Sequence, residues 1–254
     1  MLLNADVKGL EVVGCAWLSG DTTLRREILA GEDVHGNNQR DLGVPSRLIA
    51  KKFKFRFIYG GTAYSYSHDP DFFGVSRSEK YWQRVIDAYY EKYSGIREWH
   101  RILIDRVART GCLEMPTGRF YSFERDIRGS LPETQIKNYP VQGLGADLVA
   151  IARVRFRTFL READWLQEEV RRGRGYKLVN TIHDSIVVDS HPDSWYNIGV
   201  HLEKAVEEVP QNFSKLFETD FDLPILAELK IGPNLNQLKE IKLHANQGTW
   251  NYAE

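Results

Sequence analysis

The spacing of apolar residues changes several times along this chain, and each change marks a predicted element. Residues 2–6 have the β-favouring composition of a strand. Apolar residues return at helical spacing over residues 47–59 and again from 135 to about 161. Residues 176–188 contain two β-rich runs with only two residues between them, a pattern that predicts a tight hairpin.

Four further segments complete the predicted fold. Residues 76–109 combine aromatic and charged residues at helical spacing, which predicts one long helix. Residues 113–123 place a Pro-Thr-Gly turn between apolar residues, as in a hairpin. A last helix is expected near 195–208 and a closing strand near 225–229. This order of helices and strands predicts an α+β fold.

Composition narrows the class of protein only a little. With 254 residues and 42% hydrophobic content, the chain can bury a sizeable core. Charged residues make up 27% but leave a net charge of -1, so a nucleic acid would have to be bound by local patches.

Cys15 and Cys112 are too few for a disulfide framework or a zinc site, and both are expected to be buried. No apolar run approaches the ~20 residues that cross a bilayer, which by default predicts a cytoplasmic location, or the host cytoplasm for a viral chain.

Two aspartates lie where strand-type sequence meets a turn. Asp6 ends the first run, and Asp184 lies in the turn of the predicted hairpin. A carboxylate bounded by Ile and Val is costly to bury unpaired, and a divalent cation would offset that cost. Two such carboxylates brought together can hold two Mg²⁺ ions, which activate an attacking hydroxyl and stabilise a leaving pyrophosphate. Each aspartate alone is more often an ordinary turn residue.

Segment 47–59 carries a more specific pattern. A Pro-Ser pair at 45–46 marks a helix start, and two glycines at 60–61 mark its end. Four side chains recur every four residues on one predicted helix face: Arg47, Lys51, Phe55 and Tyr59. Arg and Lys can bind the phosphates of a triphosphate, and an aromatic ring can stack on a base or sugar. This helix face places two cations before two aromatic residues along about 18 Å, the order of groups in a nucleoside triphosphate. A solvated basic helix has the same spacing, so the pattern alone leaves both interpretations open.

Five motifs, in family order, resemble those of family A (DNA polymerase I-like) DNA polymerases. Arg47-x3-Lys51-x7-Tyr59-Gly60, with Phe55 at its aromatic position, is similar to the finger-helix signature. The other four are Asp6-Val-Lys-Gly-Leu-Glu11 (first palm motif), Asp33-Val-His35 (Asp-Ile-His element), Asn138-Tyr-Pro-Val-Gln142-Gly143 (Asn-x-Pro-Val-Gln-Gly segment) and His183-Asp184 (second palm motif). Residues 223–233 resemble the closing family strand. The resemblance indicates a phage-like, C-terminal palm and fingers portion of such a polymerase.

The resemblance implies a fold and a domain order. The expected fold is an α+β right-hand polymerase palm, built on an antiparallel sheet, with a mostly helical fingers lobe. Residues 1–20 would form palm with the first metal motif, and 21–130 would form fingers with a nucleotide-binding helix at 46–59. Residues 131–254 would complete the palm with the second metal motif and the C-terminal strand. Thumb and exonuclease domains are expected to be absent.

The resemblance also implies roles for individual residues. Asp6 and Asp184 would be the catalytic ligands of two Mg²⁺ ions. Six residues would bind the incoming dNTP: Glu11, His35, Arg47, Lys51, Phe55 and Tyr59. Within that set, positions 35, 47 and 51 would hold the triphosphate, the ring at 55 would stack, and positions 11 and 59 would crowd a ribose 2′-hydroxyl. Asn138, Gln142 and His183 would contact primer-template DNA.

Two positions depart from the family pattern. Ser185 stands where a Glu usually follows the second metal-binding Asp, so a third acidic group is missing. Activity is expected to survive, because two aspartates can still bridge both ions. Thr134 stands where the family often has an arginine, which puts one primer-side contact in doubt.

The resulting hypothesis is template-directed DNA synthesis by the C-terminal half of a split or truncated polymerase. A second polypeptide with the thumb and remaining palm is expected, because this palm sheet alone would have an unpaired edge and an uncovered apolar face. Two other functions remain open. One is a non-catalytic DNA-binding or assembly subunit, against which the two aspartates argue. The other is a fragment of a single-subunit RNA polymerase, against which Glu11 argues.

Overall fold

The computed structural model describes residues 1–243. The end of the predicted palm segment, residues 244–254, lies outside the described residues. The strands are Leu2–Val7 (β1), Cys112–Glu114 (β2), Phe120–Ser122 (β3), Tyr176–Ile182 (β4), Ser185–Ser190 (β5), Ala227–Gly232 (β6) and Lys239–Ile241 (β7). The helices are Leu10–Ser19 (α1), Thr22–Leu29 (α2), Val34–Leu42 (α3), Arg47–Ile58 (α4), Ala63–Ser67 (α5), Glu79–Lys92 (α6), Ser94–Thr110 (α7), Glu133–Glu162 (α8), Asp164–Arg171 (α9), Trp195–Glu207 (α10) and Val209–Phe217 (α11).

Five strands form one antiparallel sheet in the order β4-β5-β1-β6-β7. The predicted opening strand is therefore its centre, because β1 pairs with β5 on one side and with β6 on the other. Strands β2 and β3 pair separately as the predicted hairpin. The α+β class with an antiparallel sheet is confirmed.

The chain forms two compact units. Among the described residues, the sheet unit contains Met1–Lys8, Leu148–Asn212 and residues 225–243. The helical unit contains Gly9–Asp147 and Phe213–Pro224. Helix α8 begins in the helical unit and ends in the sheet unit.

Strand β1 gives the sheet unit its two different faces. Leu3, Ala5 and Val7 are buried, and side chains of the size of Leu3 and Val7 each contribute roughly 1.5–3 kcal/mol when removed from water. Helix α10 packs on this face, where a Cβ at Gly199 would lie 3.8 Å from the Leu3 side chain. Alternation along the strand turns Asp6 to the opposite face, where it is half-buried.

One face of helix α4 packs through aromatic rings against α5 and α6. This buried face includes Phe53 and Phe57, and the Phe57 ring centre lies 4.4 Å from that of Tyr89 in α6. Phe53 stacks on Tyr66 of α5 at 5.0 Å and on Trp82 of α6 at 6.2 Å. These contacts fix the axial rotation of α4, which decides which side chains its other face presents.

Three predicted elements differ from those observed. The single helix expected over 76–109 is two helices, because the chain turns at Tyr93, whose buried hydroxyl lies 2.7 Å from Glu27 Oε2 and 2.8 Å from Asn38 Oδ1. The helix near 195–208 is not the last, because α11 follows it. The closing strand runs over Ala227–Gly232 rather than 225–229, and β7 follows it.

The two cysteines differ in burial. Cys15 is buried as expected, and burial raises the pKa of its thiol to about 12. Cys112 is only half-buried, so the expectation of burial was wrong for this residue.

Within residues 1–243, no helix is both long enough and apolar enough to cross a membrane.

Candidate functional site

The β4–β5 hairpin determines where Asp184 lies. Ile182 pairs with Ser185, so His183 and Asp184 form a two-residue turn, as expected. His183 has a φ of 53°, in the left-handed region that costs a non-glycine residue on the order of 1 kcal/mol. The turn is held by the Ser185 hydroxyl, which donates to the Ile182 carbonyl at 3.0 Å, and by the Val7 N–H, which donates to the Asp184 carbonyl at 3.0 Å.

Strand register brings the two predicted metal ligands together. Asp6 lies directly opposite Ser185, one residue from Asp184. On its other side, Asp6 lies opposite Glu228 of β6, a third acidic residue to which sequence reasoning gave no role. The hydrogen bond from Lys230 to Glu228, together with the charges of Glu228 and Asp6, raises the pKa of Lys230. The sheet face around Asp6 is therefore acidic.

The carboxylates of Asp6 and Asp184 fit a magnesium ion. They are hard oxygen ligands, and Mg²⁺ is usually bound through one or two carboxylates with substrate phosphates supplying further oxygens. Within residues 1–243, no group of three His, Cys, Asp or Glu side chains is arranged as a metal site.

Helix α4 has the bounds and the face that the sequence predicts. The Ser46 hydroxyl caps its start by accepting the Ile49 N–H at 3.2 Å, and Tyr59 caps its end before Gly60, whose φ is 79°. The face opposite the aromatic core presents the predicted residues, all exposed or half-exposed: Arg47, Lys51, Phe55 and Tyr59. The Lys51 ammonium lies 5.7 Å from the centre of the Phe55 ring.

Arg47 has an ionic partner at the start of α3. Its Nε and Nη2 donate to Asp33 Oδ2 and Oδ1 at 2.7 and 2.9 Å, a two-point pair. This contact lowers the pKa of the Asp33 carboxyl to about 2. The sequence motif contains Asp33 but does not indicate its role, because no local pattern shows which acidic residue pairs with which basic one.

His35 lies two residues further along this segment. Burial, followed by the positive charges of Lys54, Arg47 and Lys51, lowers the pKa of His35 to about 4. The imidazole is therefore neutral at pH 7. Its buried Nδ1 has no hydrogen-bond partner among the described residues. A neutral imidazole close to these three cations can donate an N–H to a phosphate oxygen without adding charge.

Glu11 and Tyr59 are joined by a hydrogen bond. The Tyr59 hydroxyl donates to Glu11 Oε1 at 3.1 Å, which ties the end of α4 to the first turn of α1. Thr134 packs against the residue that follows Tyr59, because a Cβ at Gly60 would lie 2.7 Å from the Thr134 Cα. The residue that departs from the family pattern is thus in close contact with the end of α4.

A cavity of about 670 Å³ follows α4 and is large enough for a nucleotide-sized ligand. Lys51, Phe55 and Tyr59 contribute to its wall.

Asn138 and Gln142 lie one turn apart on α8. Gln142 is exposed, and the buried Asn138 Oδ1 has no partner among the described residues.

The predicted residues fall into two sets. The sheet unit holds Asp6, His183 and Asp184. The helical unit holds Glu11, His35, Arg47, Lys51, Phe55, Tyr59, Asn138 and Gln142. Direct contacts within these sets include Lys51 with Phe55 and Tyr59 with Glu11.

Comparison with curated proteins gives relatives that are much longer than this chain. The DNA polymerase of Bacillus phage SP01 is 24% identical over 227 residues, which cover 85% of this chain and 23% of that protein. The thermostable DNA polymerase I of Thermus filiformis is 26% identical, with 94% of this chain and 27% of that protein covered. The chain spans about a quarter of the length of these relatives.

A solved structure shares the fold. The POL domain of Pol1 from M. smegmatis, in complex with DNA primer-template and dNTP, matches with a TM-score of 0.71 and 20% identity, covering 91% of this chain and 39% of that one. This likeness confirms the polymerase-type fold expected from the sequence. The model of DNA polymerase family A matches residues 1–237 of the 254. The chain therefore belongs to DNA polymerase family A.

Proposed function

We propose that this chain carries out template-directed DNA synthesis, adding deoxynucleotides from dNTPs to a primer 3′-hydroxyl. The observation that carries the proposal is the register that pairs Asp6 with Ser185 and so brings Asp6 beside Asp184, in a member of a DNA polymerase family. The related POL domain from M. smegmatis was solved with primer-template and dNTP, which supports the same two partners here.

Asp6 and Asp184 are proposed to hold two Mg²⁺ ions. The ions would supply Lewis-acid activation of the primer hydroxyl and stabilise the charge on the pyrophosphate leaving group. The contribution of the chain is to fix both carboxylates through the β1–β5 ladder and the two-residue hairpin. A backbone-fixed pair needs little rearrangement when substrate arrives, which is the condition for electrostatic stabilisation of a transition state.

Arg47, Lys51 and His35 are proposed to bind the triphosphate. Charge-assisted hydrogen bonds from Arg and Lys to phosphate oxygens are among the strongest that proteins make. His35, neutral at pH 7, would add an N–H donor. Phe55, one turn beyond Lys51, would stack on the nucleotide, in the order that a nucleoside triphosphate requires.

Glu11 and Tyr59 are proposed to select a deoxyribose. The hydrogen bond from Tyr59 holds the Glu11 carboxylate in one position. A fixed carboxylate at the 2′ position would leave room for hydrogen but not for a hydroxyl. The same pair argues against the RNA polymerase alternative.

Asn138, Gln142 and His183 are proposed to contact primer-template DNA. Gln142 and His183 are exposed, and Asn138 is half-buried one turn before Gln142 on α8, so their side-chain N–H groups are the donors available for such contacts. Amide and imidazole groups can bind the minor-groove acceptors that all base pairs share, so such contacts carry little sequence information.

A second polypeptide with the thumb and remaining palm is proposed to pair with β4. Within residues 1–243, β4 is an edge strand that pairs with β5 alone. It exposes three apolar side chains, Leu178 at 38%, Val179 at 55% and Ile182 at 37%. An apolar edge strand is a template for strand addition from another chain.

Primer extension with Mg²⁺ and dNTPs tests both parts of the proposal. The chain is assayed alone and mixed with a candidate thumb-bearing polypeptide, with Asp184→Ala as the control. Extension that needs the partner and is lost in Asp184→Ala supports a split polymerase, whereas extension by the chain alone removes the need for a partner. No extension in either mixture would favour the non-catalytic subunit, and extension with rNTPs instead of dNTPs would favour the RNA polymerase alternative.

A further inference from the structure

The Asp33 carboxylate occupies a defined place at the start of α3. Asp33 is the residue immediately before the helix, and Gly36 lies in its first turn. A Cβ at Gly36 would lie 2.7 Å from Asp33 Oδ2, closer than a real contact allows. The absence of a side chain at position 36 therefore leaves the space that the carboxylate fills.

Arg47 is held by this carboxylate through two of its five N–H donors. The Nε and Nη2 contacts use both carboxylate oxygens, which fixes the plane of the guanidinium as well as its position. The Arg47 side chain is 57% exposed and is the first residue of α4. Without Asp33 it would sample many rotamers in solvent, and ordering it on binding would cost free energy.

Arg47 lies near His35, another residue proposed to bind the triphosphate. The positive charges of Arg47 and Lys51 both act on His35, two residues beyond Asp33. Three N–H donors of Arg47 are left for phosphate oxygens after the contact with Asp33. The negative charge of Asp33 offsets part of the repulsion among the cations that gather here.

We propose that Asp33 is a positioning residue, which orients the Arg47 guanidinium toward the triphosphate of the incoming nucleotide. The inference rests on the proposed role of Arg47 in nucleotide binding. If Asp33 instead competed with the triphosphate for Arg47, substitution of Asp33 would free Arg47 and strengthen triphosphate binding.

Two substitutions disrupt the Asp33–Arg47 contact in different ways. Asp33→Asn removes the charge of the carboxylate. Gly36→Ala keeps the charge but places a methyl group where the carboxylate lies, and alanine is favoured over glycine in a helix, so the fold should be retained. Asp41→Asn is the matched control, since Asp41 lies on the same helix, is equally exposed at 50%, and pairs with Lys92 instead.

The test is calorimetric titration of the whole chain with inorganic tripolyphosphate, which reads binding without catalysis or a partner. Asp33→Asn and Gly36→Ala should each weaken binding about three- to tenfold, and Asp41→Asn should leave it unchanged. In an Arg47→Ala background, Asp33→Asn should have no further effect, which a general structural role for Asp33 would not predict.

Several results would overturn the inference. Binding by Asp33→Asn that is equal to or tighter than that of the unchanged chain would contradict it, as would a full Asp33→Asn effect in the Arg47→Ala background. If Arg47→Ala itself left binding unchanged, the proposed nucleotide role of Arg47 would fail and the inference would fail with it. The two failures are therefore distinguishable.

Discussion

The carboxylate pair in the sheet unit and the nucleotide helix in the helical unit are held in place by different parts of the chain. Asp6 and Asp184 are placed by backbone pairing, through the β1–β5 register and a two-residue turn. Arg47 and Tyr59 of α4 are placed by side-chain partners that are distant in sequence, Asp33 and Glu11. A backbone-built site should tolerate changes in neighbouring side chains, whereas a side-chain-built site should respond to each partner that is removed.

The largest effect is expected from removing a carboxylate of the backbone-built pair. Asp6→Asn should lower the rate of nucleotide addition by about a thousandfold or more, because loss of a metal ligand removes several kcal/mol of transition-state stabilisation. Single-turnover primer extension measures this, in whichever mixture supports extension. Asp189→Asn, on β5 and 53% exposed, is the control and should retain the rate. A modest loss in Asp6→Asn would show that the pair is not the catalytic centre.

A smaller effect is expected from the cation that begins α4. Arg47→Ala should lower kcat/KM for dNTP by about ten- to a hundredfold, since a charge-assisted hydrogen bond contributes roughly 1.5–3 kcal/mol. Steady-state extension over a range of dNTP concentrations measures it. Arg101→Ala, which removes an exposed cation paired with Glu98 and Asp105, should leave kcat/KM unchanged. Equal values for the two variants would contradict nucleotide binding by α4.

The Glu11–Tyr59 pair should control the choice of sugar. Glu11→Ala should lower the preference for dNTP over rNTP by about tenfold, which corresponds to ~1.4 kcal/mol, because it opens space at the 2′ position. Tyr59→Phe removes only the hydrogen bond and should have a smaller effect in the same direction. Competing dNTP and rNTP incorporation measures the preference. An unchanged preference in Glu11→Ala would place sugar selection elsewhere.

The smallest effect is expected at Ser185, beside the backbone-built pair. Ser185→Ala removes a hydroxyl that donates to the Ile182 carbonyl, but the β4–β5 register remains, so the extension rate should change by less than about threefold. Ser185→Glu restores the usual family residue and should give no large rate increase. A large increase would show that a third carboxylate at this position is needed after all.

Local sequence signals predicted the elements that carry the site. The cap at Ser46, the glycines after Tyr59 and the helical spacing between them are all local, and α4 has the predicted bounds to within a residue. The hairpin around Asp184 is equally local, since two β-rich runs and a two-residue gap define it.

Contacts between residues that are distant along the chain could not be predicted from the sequence. The break between α6 and α7 depends on the buried Tyr93 hydroxyl and its partners Glu27 and Asn38, more than 50 residues away. The position of Glu228 opposite Asp6 depends on how β1 and β6 pair, which no local pattern specifies. The roles of the site residues remain predictions, supported by family membership and by these contacts.

Mn²⁺ binding tests most directly whether Asp6 and Asp184 hold the catalytic metal ions. Electron paramagnetic resonance counts free Mn²⁺ in the presence of the chain and dNTP, and the chain should bind Mn²⁺ beyond the amount that dNTP binds alone. Asp184→Asn should lose that additional binding, and Asp189→Asn should keep it. Additional binding that is the same in Asp184→Asn as in the unchanged chain would contradict metal binding by Asp6 and Asp184.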